Sequence, residues 1–102
     1  MTPEPIPVKL LKIPPYMTYV ETRRPRYKTH RIRAHALSAV ACHRYHADVV
    51  LYEAKEGQYI PVLTLPRILC TYTNCKNPCY DTKITDPLGD YPEARCWLHR
   101  KL

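Results

Sequence analysis

The sequence predicts a small α+β fold: a strand-helix-hairpin layer with a C-terminal cysteine-bearing module. Three stretches carry that expectation. "YMTYVETR" is rich in Tyr, Thr and Val, as strands are. "THRIRAHALSAVACHRY" is Ala-rich and free of Gly and Pro, as helices are. "ADVVLYEAKEGQYIPVLTL" sets two apolar, β-branched runs around "AKEGQ", as a hairpin does.

Taken in chain order, residues 1–15 hold five prolines and read as an extended arm, with "VKLLKI" as a short edge strand between Pro7 and Pro14. Residues 16–66 form the α+β domain and 67–102 the cysteine-bearing module. Thr29 is the expected N-cap of the helix. Ile32, Ala36, Ala39, Val40 and His43 share its apolar face; Lys28, Arg31, His35, Ser38 and Cys42 share the polar one. Gly57 is expected at positive φ in the hairpin turn, and Pro61 marks the second strand as an edge or a bulge.

A chain of 102 residues has room for one modest core and often needs a staple. Nine Tyr with no Phe suits half-buried surfaces and interfaces. The net charge of +7 favours an anionic partner without choosing one. Prolines interrupt the N-terminus where a signal peptide would be apolar, and no apolar run is long enough to span a bilayer. A cytoplasmic location is therefore expected, with no membrane partner. An odd count of five cysteines there argues against a disulfide framework.

The chemistry is concentrated in Cys70-x4-Cys75-x20-Cys96-x2-His99, with Cys79 as an alternative ligand. Two close pairs from distant parts of a chain can supply the four S and N donors of a tetrahedral zinc site. "CWLH" puts two donors on one turn of a short helix expected over "YPEARCWLHRKL", with Pro92 in its first turn. Free structural thiols and a Cys75–Cys79 disulfide are the competing readings. Cys79, followed by the polar "YDTKITD", is expected to be the spare and exposed thiol. Trp97 reads either as a core residue over the metal or as a stacking platform. Cys42 reads as a buried thiol beside surface histidines rather than as a ligand with His35 and His46.

Residues 68–102 resemble a treble-clef-like zinc finger: a knuckle with two ligands, a loop, then a short helix with two more. Four residues stand between the first pair where the common pattern has two. The resemblance implies a structural zinc held by Cys70, Cys75, Cys96 and His99. The chain as a whole loosely resembles small proteins encoded by bacteriophages, which implies action in a host cytoplasm or a virion.

From Thr22 to Ala47 there is no acidic residue, and Arg23, Arg24, Arg26, Lys28, Arg31 and Arg33 fall within eleven positions. They can track a phosphate backbone, with Tyr27 among them for stacking, or merely solvate a face. Nucleic acid is the first candidate partner and an acidic protein surface the second; no small-molecule substrate is expected. No Gly-rich phosphate loop or nucleophile elbow is present, and treble-clef nucleases need more histidine than His99 alone, so no enzyme is expected. The expected function is a small basic zinc-stapled nucleic-acid-binding or regulatory protein. The alternative is a protein-interaction module, either a viral modulator of a host factor or a component of a larger particle.

Overall fold

A computed structural model describes residues 3–7, 13–79 and 82–100. Among the described residues the protein is mostly β, with one helix and five strands; the strand-helix-hairpin layer was expected to hold three. In chain order they are β1 (Ile6–Pro7), β2 (Tyr16–Glu21), β3 (Arg26–His30), α1 (Arg33–His43), β4 (Asp48–Lys55) and β5 (Gln58–Leu65). The sheet order is β1-β5-β4-β2-β3, with every pairing antiparallel. The edge strand expected over "VKLLKI" lies largely outside the described residues. β1 pairs Ile6 with Tyr59 and Pro7 with Gln58.

β3 is the main departure from expectation. The ladder from Tyr16↔His30 to Val20↔Arg26 takes the backbone that was expected to open the helix. Thr29, opposite Met17, is a strand residue and not an N-cap. The helix starts after Ile32, which is extended and offers no side-chain cap. Five ladder positions against β2 outweigh the modest helix propensity of this segment. The apolar face of α1 is also narrower than expected. Ala36 and Val40 are buried, whereas Ile32 is 53% exposed.

Apolar side chains pack on both faces of the sheet. On one, Val40 of α1 packs with Val20, Ala47, Val49 and Leu65. On the other, Met17, Tyr19, Val50, Tyr52 and Tyr59 form an apolar floor, against which Ile6, Ile13 and Ala54 pack. Tyr59 donates its hydroxyl to the Pro14 carbonyl at 2.8 Å, which ties the start of β2 to the hairpin. The hairpin turns through Glu56 (φ 49°) and Gly57 (φ 77°), the paired left-handed residues of a type I′ turn. Leu51 pairs with Leu63 and Tyr52 with Pro61, so Val62 is the extra residue of a bulge beside the proline.

Among the described residues after Leu65 there is no helix, and one isolated bridge, Leu69↔Pro78. Over its described part, residues 91–100, the helix expected for "YPEARCWLHRKL" is a series of turns. Its first carbonyls are claimed from the side: the Thr71 hydroxyl donates to those of Pro92 (2.7 Å) and Ala94 (2.8 Å), and the Thr71 N–H also donates to Ala94 (2.9 Å). Arg95 bonds the same two carbonyls and the Thr71 hydroxyl. A carbonyl aimed across the chain is not available to an axial helical bond.

This segment is built onto the helix end. Ile68, Cys79, Ile84 and Ala94 cluster with Ala41, Tyr45 and Tyr91. The Ile68 N–H donates to the Arg44 carbonyl (2.9 Å), and the Tyr45 hydroxyl accepts from the Ile84 N–H (2.8 Å). Arg44 is buried and donates to the carbonyls of Pro66, Pro87 and Gly89 at 2.8–3.1 Å.

Candidate metal centre

The Cys70–Cys75 segment is a knuckle made by local backbone geometry. Asn74 takes a left-handed φ of 61°, and the Cys75 N–H closes a turn onto the Tyr72 carbonyl at 2.9 Å. Asn tolerates that conformation better than most residues. The Cys70 N–H donates to the Asn77 carbonyl at 3.0 Å, which folds the loop back on itself. The second pair is set by the turn from Cys96 to His99, with a backbone bond of 3.2 Å. The Thr71 bonds to Ala94 hold the two segments side by side.

The result is that one donor atom from each of Cys70, Cys75, Cys96 and His99 lies within 4.8 Å of all the others. Zinc at about 2.3 Å from sulfur and about 2.0 Å from nitrogen sets tetrahedral edges of about 3.8 Å (S–S) and 3.5 Å (S–N). Here Cys75 Sγ is 3.8 Å from Cys96 Sγ. His99 Nδ1 is 3.5 Å from Cys70 Sγ and 3.2 Å from Cys96 Sγ. Cys70 and Cys96 are buried, and Cys75 and His99 half-buried. The donor set and its edges fit a zinc ion.

The surroundings favour the thiolate, the form that binds metal, at Cys70 and Cys96 but not at Cys75. Burial pushes the Cys96 thiol up. The Asn77 amide, the His99 N–H and the neighbouring sulfurs outweigh it and bring it down to about 6. Burial likewise opposes ionisation of Cys70, but the N–H groups of Tyr72 and Cys96 and the His99 ring hold it below the usual range. The Asn77 N–H pulls Cys75 down, yet burial and the two neighbouring sulfurs leave it raised. The Cys70 sulfur, helped by Cys96, raises His99 against the effect of burial. The ring of Tyr72 stacks on His99 at 4.1 Å, which fixes its plane. Tyr72 and Thr71 carried no signal in the sequence beyond lying between two donors; Asn77 did, but as a turn residue.

Two expectations for the other cysteines fail, and one of the two readings of Trp97 drops out. Of the four cysteines after Leu65, Cys79 is the one outside the cluster, but it is buried against Ile68, Ile84 and Ala94 rather than exposed. Its side chain turns toward the apolar contact between this segment and α1. Cys42 is exposed, because the buried line of α1 runs through Ala36 and Val40 instead. Trp97 is 54% exposed and carries the Arg100 guanidinium 3.3 Å over its ring, so it is not a core cover for the centre.

Arg23, Arg24, Arg26, Lys28, Arg31 and Arg33 are all exposed. Arg23 and Arg24 sit in the β2–β3 turn, where the Thr22 hydroxyl donates to the Arg24 carbonyl (2.9 Å). Arg26 and Lys28 lie on β3, and Arg33 pairs with Glu53 at 3.7 Å. Tyr27 does not interleave with these charges. The strand period sends it to the opposite face, where its ring lies 4.7 Å from that of Tyr19.

No helix of the described residues is long and apolar enough to cross a membrane. Comparison with protein-family models, with curated proteins and with solved structures finds no match to this chain, so the metal centre rests on its own geometry.

Proposed function

We propose that this is a small zinc-stapled protein that binds nucleic acid through its basic stretch and catalyses no reaction. In this reading residues 1–15 are an arm, 16–66 the sheet layer and 67–102 the metal module. The zinc is structural: Cys70, Cys75, Cys96 and His99 would fill its four positions and leave none for a substrate or water. The observation that carries the metal is the set of donor edges matching a zinc tetrahedron. Nucleic-acid binding is supported by six exposed cations in a stretch without an acidic residue. A viral setting, in host cytoplasm or virion, belongs to the same reading.

Two measurements test it. Metal analysis of purified protein is expected to give about one zinc per chain. Binding to random-sequence DNA or RNA is expected to weaken steeply with salt, as released counterions require. Tight binding at low salt with no salt slope would count against the nucleic-acid half alone.

A protein-interaction module is the second reading. Tyr72, Trp97 and Leu98 expose large side chains around the metal centre, and Leu98 is 75% exposed. The tyrosines support it less than their number suggests, because Tyr19, Tyr52 and Tyr59 are core residues. Retention of one defined protein partner at high salt, lost on Trp97→Ala and Leu98→Ala, would favour this reading.

A further inference from the structure

Four cations of the basic stretch, Arg24, Arg26, Lys28 and Arg31, border a trough. α1 seats Val40 on Val20 of β2 and Val49 of β4, while β3 is the outermost strand and is exposed from Arg26 to Thr29. The step between helix and edge strand is a cavity of about 660 Å3. Lys28 and Arg31 lie on its strand side; His35, Ser38, Cys42 and His43 lie on its helix side. Ala39 and Ile32 supply apolar surface between them. A second cavity, of about 240 Å3, shares His43 and runs on toward the β2–β3 turn, past Arg24, Arg26 and His46. Among the described residues neither cavity is lined by a carboxylate.

Building on the nucleic-acid reading above, we propose that this trough holds one single strand of nucleic acid. Its phosphates lie along Arg24, Arg26, Lys28 and Arg31, and its bases lie against His35 and His43 of α1. A cavity of about 660 Å3 is of small-ligand size, which suits an unpaired base with its backbone better than a duplex. Cations on one wall and flat rings on the other are what an unpaired strand requires, since every base offers a π-face and every linkage a charge.

The field in the trough supports an anionic occupant. Burial first, then His46, Arg26 and Lys28, depress the His43 imidazole. Burial first, then Lys28 and His35, depress His30, whose Nε2 lies 3.0 Å from the Thr18 hydroxyl. The groups facing these rings are Arg26 and Lys28 from β3, Arg24 from the turn, His35 and His46 from the helix side, and neutral Thr18 from β2. A phosphate would offset the positive field, so binding takes up protons and tightens as pH falls through the histidine range.

The test uses full-length, zinc-loaded protein and a labelled oligothymidylate of about 12 nucleotides, with a duplex of equal length for comparison. Ser38→Glu places a carboxylate on the exposed helix wall of the trough; Lys55→Gln, at the hairpin, removes a charge elsewhere. The single strand is expected to bind more tightly than the duplex. Ser38→Glu should weaken it by about tenfold or more, and Lys55→Gln by less than about twofold. The oligonucleotide should also shield the Cys42 thiol of the unmodified protein from N-ethylmaleimide. That footprint decides the matter should Ser38→Glu misfold. Strand binding with Cys42 unshielded, or unchanged in a folded Ser38→Glu variant, would overturn the trough and leave nucleic-acid binding standing. Preference for the duplex would overturn the single-strand assignment. Absence of any binding at low salt would sink the nucleic-acid reading, and the trough with it.

Discussion

The sheet and the C-terminal segment are held by different forces. Between Tyr16 and Leu65 four strands are joined by antiparallel ladders, and Leu51, Val49 and Val40 are fully buried. Between Arg67 and Arg100 the fold depends on side chains reaching main chain: Thr71, Arg95, Tyr45 and, from the helix end, Arg44. Its apolar cluster has four buried members, two of them no larger than Cys and Ala. A segment so thinly cored needs a staple, and the Cys/His cluster sits where one would act. The lesson is that a chain can concentrate its apolar residues in one region and hold the other largely by side chains that bond main chain.

Removing the staple should separate the two regions most sharply. Structural zinc sites carry apparent binding free energies of about 10–16 kcal/mol. Chelation or Cys96→Ser should therefore abolish hydrogen-exchange protection over residues 67–100 while the sheet keeps its own. Zinc-free, reduced protein that stays protected in both regions would end the comparison. Cys42→Ser should keep full zinc content.

A core deletion should break the sheet instead. Leu51→Ala removes a fully buried side chain and is expected to cost about 2–5 kcal/mol in denaturant unfolding. Zinc stoichiometry of the folded protein should not change.

Arg44 joins the two regions, so its replacement should loosen the joint. Arg44→Met leaves the carbonyls of Pro66, Pro87 and Gly89 without that donor, at a cost of about 1–3 kcal/mol. Exchange near Pro66 and Gly89 should rise before exchange in β4. Equal acceleration everywhere would mean that the regions unfold as one.

Acid should weaken the sheet side. His30 and His43 are depressed in the folded protein, so the unfolded chain binds their protons more readily. Their contribution is present above the unfolded value of about 6.5 and is lost as pH falls through the lower folded values. His30→Gln should flatten that part of the stability profile. An unchanged slope would show that His30 is not its source.

The smallest stability effect is expected from Arg23→Gln, Arg24→Gln and Arg26→Gln together, less than about 0.5 kcal/mol each for exposed side chains. The same triple change should weaken nucleic-acid binding at low salt. In zinc-loaded protein Cys42 should alkylate fast and buried Cys79 slowly, as peptide mapping would show.

Much of this was legible along the chain, because its determinants are local. "AKEGQ" specifies a hairpin through the left-handed freedom of Gly57, and Pro61 marks a bulge because it has no N–H to give a ladder. The four clustered donors are among the five that donor type and spacing offered; the fold, not the spacing, left Cys79 out. Pairing across the chain decided the rest. "RYKTH" is a strand because β2 lies beside it, which moved the helix start to Arg33 and sent Tyr27 away from the cations. Thr71 and Arg95 turned the expected C-terminal helix into turns by taking its carbonyls from the side. Cys79 is buried because α1 brings Ala41 and Tyr45 to the segment's apolar face. Propensity and spacing act within a few residues, whereas burial and hydrogen-bond partners depend on what the whole fold brings alongside.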